Sequence, residues 1–199
     1  MNVTMLERLE TYVQESGLSL RDMLTDHFAT PKRRRTCFIV GQGFDPRMTQ
    51  GIELLVGVAP KTDLDLIVLA FNEGPMSPSR KYDKLVKQNL QHLESLVSPR
   101  RTSTRSIEMF SSEQRRITAR SAGSLFRTAS EFKGFTDIFL DISSLPRSVF
   151  FPLAAKILFL LDTWDGGPGR PNFFVLVSEN AELDNAILEE GIDEDADYI

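Results

Sequence analysis

Thr36-Cys37-Phe38-Ile39-Val40 runs directly into Gly41-Gln42-Gly43-Phe44-Asp45-Pro46-Arg47-Met48. An apolar strand is followed by a glycine-bearing turn and the start of a helix. Further along, the stretch 136–141 runs into Ile142-Ser143-Ser144-Leu145-Pro146-Arg147-Ser148, a second strand-to-helix turn that again carries a Pro-Arg pair behind an aspartate. Both strands are too apolar to leave one face in water, which places them inside a parallel sheet covered on both sides.

Working outward, five short apolar or alternating runs stand at 36–40, 64–71, 106–110, 136–141 and 172–177. Helical patterns fill 48–56, 79–97, 112–132 and 149–163 between them. Strands alternating with helices predict a doubly wound α/β domain with a mainly parallel, five-stranded, Rossmann-like sheet. The spacing of apolar residues over 5–28 predicts a helical N-terminal extension, broken at Gly17 and capped again at Ser19. Three segments follow: an extension over 1–34, the α/β domain over 35–180, and an acidic stretch over 181–199.

The chain has 199 residues, 41% of them hydrophobic and 26% charged, enough for one domain with its own core. Its one cysteine, Cys37, lies within an apolar run, which argues against a disulfide framework or a cysteine-based zinc site and for a reducing cytoplasm. No signal-peptide layout stands at the N-terminus and no apolar run reaches membrane-spanning length; 149–161, interrupted by Pro152 and Lys156, reads as a buried helix. The net charge of -5 hides an asymmetry: positions 179–199 hold nine carboxylates and no Lys or Arg, leaving 23 basic against 19 acidic residues before them.

In open α/β sheets, ligands bind beyond the carboxyl ends of the strands where the order reverses. For the order 3-2-1-4-5 that point lies between strands 1 and 4, where the two unusual turns fall. Gly41 and Gly43 would permit positive φ and close backbone approach, Arg47 and Arg147 would hold a phosphate or carboxylate, and Ser143 and Ser144 would donate hydroxyls. Asp45 and Asp141 would hold an arginine, cap backbone N–H groups, or accept from a ribose or base. Phe44 is the aromatic placed to stack on a base, and Asn72 and Glu73 end strand 2 near the same cleft. Capping alone accounts for either turn, but caps do not require arginine, so the pair reads as a site for an anionic, nucleotide-like ligand.

Weaker features surround it. Arg115, Arg116, Arg120 and Arg127, with 32–35 and 99–101, are candidates for a nucleic-acid surface, though aromatic interleaving is absent and solvated faces explain them as well. His27 and His92 lack neighbouring metal ligands, so no metal and no cofactor is expected. Phe38, Phe71, Phe139, Phe150, Phe151, Phe173 and Phe174 are assigned to the core.

Asp141-Ile142-Ser143-Ser144-Leu145-Pro146-Arg147 resembles the strand-4 motif of CARF domains, the Rossmann-like sensors of cyclic oligoadenylates in CRISPR systems, and of their SAVED relatives. That motif runs Asp-x-Thr/Ser, small residues, then Lys/Arg; here Leu145-Pro146 stands where the family has glycine and threonine. The resemblance implies ligand contacts at Ser143, Ser144 and Arg147, a homo-oligomer, and a protein partner or effector that receives the signal. The leading expectation is therefore a nucleotide-sensing or regulatory domain of a prokaryotic anti-phage system. One alternative is a small nucleotide hydrolase or glycosidase using Asp45 or Asp141; another is a non-catalytic interaction subunit using the acidic tail.

Overall fold

A computed structural model of the chain describes residues 12–29, 34–74, 77–97, 101–167 and 169–180. The acidic stretch over 181–199, the start of the N-terminal extension, and Lys32, Arg33, Pro99 and Arg100 of the basic clusters lie outside the described residues.

Helix α1 (Gly17–Ala29) leads to β1 (Arg35–Gly41), α2 (Arg47–Val58), β2 (Asp63–Asn72), a 3-10 turn (Pro78–Tyr82) and α3 (Asp83–Leu96). Strand β3 (Thr102–Glu108), the short α4 (Thr118–Gly123), a second 3-10 turn (Ala129–Phe132), β4 (Asp137–Asp141), α5 (Arg147–Asp162) and β5 (Asn172–Leu176) complete the order. The five strands form one parallel sheet in the order β3-β2-β1-β4-β5. This is a doubly wound, Rossmann-like arrangement, and its order reverses between β1 and β4.

Alternation along the strands divides the core into two. Cys37, Ile39, Ile67, Leu69, Ile138 and Leu140 face α4, the second 3-10 turn and α5, meeting Phe126, Phe132, Val149, Leu153 and Ile157. Phe38, Val40, Leu66, Val68 and Phe139 face α1, α2 and α3, meeting Leu24, Met48, Ile52, Leu55 and Leu93. The helices supply these residues at helical spacing, Met48-Ile52-Leu55 on α2 and Val149-Leu153-Ile157 on α5. Burial pushes the Cys37 thiol up to about 12, so it is no thiolate nucleophile at neutral pH.

Helix α1 is bound to the sheet by a polar contact that the sequence reading missed. Asp137, fully buried at the start of β4, accepts from His27 Nε2 at 2.7 Å, from Arg34 at 3.1 Å to each oxygen, from Thr136 at 2.6 Å and from Asn172 at 2.9 Å. Burial alone would raise this carboxyl. The bonds from His27, Thr136 and Asn172, with the charge of His27, outweigh it and hold Asp137 at about 2.

Several expectations need correction. The helix predicted over 112–132 is replaced by an isolated antiparallel bridge between Phe110 and Arg116, the six-residue α4 and a 3-10 turn. Local side-chain bonds compete with the helix there: Ser111 Oγ accepts from the Glu113 and Arg115 N–H groups, Gln114 has φ 59°, and Thr128 with Glu131 forms a capping box. Strand β3 begins at Thr102 rather than 106, because an edge strand needs no apolar run; of its residues only Ile107 is buried. Helix α1 starts at Gly17, whose φ is +57°, and Ser19 donates to the Ser16 carbonyl instead of capping. Helix α5 runs through Pro152 and is not buried all round: Phe151, assigned to the core, is 64% exposed, and Leu158 and Phe159 also face outward. Among the described residues, no helix is long and apolar enough to cross a membrane.

Candidate functional site

The carboxyl ends of β1 and β4 are adjacent, with Val40 beside Asp141, and their two loops are joined directly. Ser144 Oγ donates to the Gly41 carbonyl at 3.1 Å, and a Cβ on Gly43 would lie 3.7 Å from Ser144 Cβ. Gly41, Gly43, Ser143, Ser144, Asp45 and Asp141 thus belong to one neighbourhood.

Neither Gly41 nor Gly43 has positive φ, so the conformational reason expected for them does not hold. Gly41 is required by packing. A Cβ there would lie 2.4 Å from Leu145 Cδ2, and Leu145 is buried against this strand end. The residue that departs from the glycine-threonine pattern in the second turn therefore accounts for the glycine in the first.

The first turn is electrically closed. Asp45 Oδ1 accepts from the Arg47 backbone N–H at 2.9 Å, and its two oxygens take Arg47 Nε and Nη2 at 2.6 to 3.1 Å, with both side chains mostly covered. Of the roles open to Asp45, it fills two: it holds an arginine and caps a backbone N–H. From α3, Asn89 Nδ2 donates to the carbonyls of Gly43 at 3.1 Å and Asp45 at 3.2 Å, pinning the loop to the helix. Phe44 is 39% exposed and already stacks on Tyr82, with ring centroids 4.1 Å apart and planes at 24°. The two rings form a platform at the α3 edge of the loop, which nothing in the sequence spacing indicated.

The second turn is built around Asp141. It has no exposed surface; Oδ1 accepts from the Ser143 N–H at 2.9 Å and the Ser143 hydroxyl at 2.5 Å, while Oδ2 has no hydrogen-bond partner. Ser143 Oγ also accepts from the Ser178 N–H at 2.8 Å, tying the turn to the end of β5. Burial pushes the Asp141 carboxyl up to about 6; the Ser143 bonds oppose this and the charge of Asp45 adds to it. This aspartate caps the turn and packs on α2, facing away from solvent.

Arg147 and Ser148 open α5 and are exposed. The helix begins after Pro146 with no side-chain cap. Arg147 has no ion-pair partner among the described residues, in contrast to Arg47. Asn72 and Glu73 are used elsewhere: Asn72 Nδ2 donates to Glu108 Oε2 at 2.7 Å across β2 and β3, and Glu73 accepts from the Ser77 and Ser79 hydroxyls of its own loop. Their contacts join them to β3 and to the loop after β2, and none joins them to the β1 and β4 turns.

The basic clusters also resolve into separate uses. Arg34 serves Asp137, Arg35 pairs with Asp65 and lies over the Phe135 ring, Arg101 pairs with Asp63 at 3.1 Å, and Arg115 pairs with Glu113 at 3.3 Å. His92 lies 2.8 Å from Glu53 on the surface. No group of three or more metal-ligating side chains occurs among the described residues. No protein-family model matches the chain, and comparison with curated proteins finds no match.

Proposed function

We propose that the protein is a nucleotide-sensing or regulatory domain that binds an anionic, nucleotide-like ligand at the carboxyl ends of β1 and β4 and acts through a partner. The observation that carries this reading is the charge difference between the turns flanking the switch point. Asp45 neutralises Arg47, whereas Arg147 stands exposed on an uncapped helix start, with no carboxylate partner among the described residues. That end of the sheet favours anions. The Phe44–Tyr82 pair offers a planar surface at the first of these turns. A place in a prokaryotic anti-phage system, and a ligand related to oligoadenylates, follow from the motif resemblance alone.

The hydrolase reading is less well supported. It needs Asp141 or Asp45 as a base, yet Asp141 is buried with its free oxygen against α2, and Asp45 is held by two groups of Arg47. Isothermal titration of the full chain with AMP, ADP and ATP tests the proposal. Binding that weakens at least about tenfold in Arg147→Ala supports it, consistent with the loss of a charge-assisted bond; equal binding by both proteins removes this site.

A further inference from the structure

A pocket of about 400 Å³, open to solvent, lies between the start of α4 and the first turn of α5, lined by Arg116, Ile117, Thr118, Ala119, Arg120 and Ser148. Both elements follow the carboxyl ends of strands, β3 and β4, so the pocket sits at the same end of the sheet as the switch point, on the α4–α5 face. Contact between the helices holds its walls: a Cβ on Gly123 would lie 3.8 Å from Pro152 Cβ, and Thr118 and Ala122 are buried beneath.

The chemistry of the lining is one-sided. Arg116 and Arg120 are exposed and have no carboxylate partner among the described residues; Arg116 lies only over the Phe110 ring, 5.8 Å from its centroid. Among the described residues, no acidic one lines the pocket. Ser148 brings a hydroxyl; Arg147, the residue before it, does not line the pocket but is exposed and has no ion pair among the described residues. A second pocket differs in place and charge: it opens at the amino end of β2, where Arg101 is already matched by Asp63.

Resting on the reading given under Proposed function, we infer that the α4–α5 pocket takes the phosphate chain of the ligand, so that the ligand class is a nucleotide bearing two or more phosphate groups. Arg147 meets the phosphate nearest the switch point, and Arg116 and Arg120 meet those beyond it. Guanidinium forks suit phosphate oxygens, and Arg116 and Arg120 on the lining, with no carboxylate partner among the described residues, offer more charge beyond Arg147 than a monophosphate can meet.

The test is titration of the full chain, without divalent cations, using AMP, ATP and inorganic tripolyphosphate against the parent and the Arg116→Gln/Arg120→Gln variant. Both substituted side chains are exposed, so the variant should fold as the parent does. The expected result is that the parent binds ATP about tenfold or more tighter than AMP, and that the variant loses this gain with its AMP affinity unchanged. AMP and ATP binding the parent equally, or an ATP advantage that persists in the variant, overturns the pocket and leaves the nucleotide reading standing. Tripolyphosphate binding that needs Arg116 and Arg120, with neither nucleotide bound more tightly than tripolyphosphate, supports the pocket as a phosphate site and overturns the nucleotide reading. No binding by any of the three overturns both.

Discussion

Asp141 Oδ2 fills the space that a side chain at Gly51 would take: a Cβ built on Gly51 would lie 2.2 Å from that oxygen and 3.3 Å from Phe38 Cζ. Helix α2 therefore approaches β4 as closely as a residue without a side chain permits. Gly51→Ala should destabilise the parent by about 2 kcal/mol, since overpacking outweighs the gain in helix propensity. In an Asp141→Ala background the same change should be close to neutral. Thermal melts of the four proteins in this cycle check the point, and additive effects would contradict the shared volume.

Two aspartates on β4 give opposite pH dependences. Asp141 is raised to about 6, so the stability tied to its protonated form is full below the unfolded value near 3.8 and is lost as pH rises through 6. Asp141→Asn cannot ionise. Its stability relative to the parent should therefore improve by about 2 kcal/mol between pH 4 and pH 7 in urea titrations. A constant difference across that range would show that the carboxyl ionises freely.

Asp137 runs the other way. Held at about 2, it contributes stability that is present above 3.8 and is lost as pH falls through 2. The parent should exceed Asp137→Asn by about 2 kcal/mol at pH 5, and the gap should close toward pH 2. As far as these two groups are concerned, the fold is most stable near the middle of that span, around pH 4.

Asn89 should matter to the first turn without touching the second. Removing its amide in Asn89→Ala frees two carbonyls, Gly43 and Asp45, at a cost of about 1 to 2 kcal/mol. Hydrogen exchange should rise at residues 43–47 and stay unchanged at 143–148. Equal loosening of both turns would mean that they respond as one unit.

Much of the architecture was legible because strongly apolar strands such as β1 and β4 can only be buried, and proline-bearing turns mark their ends. The strand order was not legible; the one observed is the common order on which the placing of the site was conditioned. What escaped were features governed by side-chain competition or by long-range contact. The stretch after β3 has helical spacing, yet Ser111 and Thr128 divert its backbone. In the site, the two Pro-Arg turns look equivalent as strings of letters; only geometry reveals that Asp45 silences Arg47 while Asp141, buried against Gly51, leaves Arg147 without a partner carboxylate among the described residues. The Phe44–Tyr82 stack joins positions whose contact no periodicity announces.

The His27–Asp137 bond joins residues 110 positions apart. Helix α1 begins the described chain, yet its anchor does not exist until β4 has been laid beside β1. Closing so long a loop is costly before the strands are in place, so α1 should dock late during folding and detach early during unfolding. The first helix of the described residues is thus among the last elements to be secured.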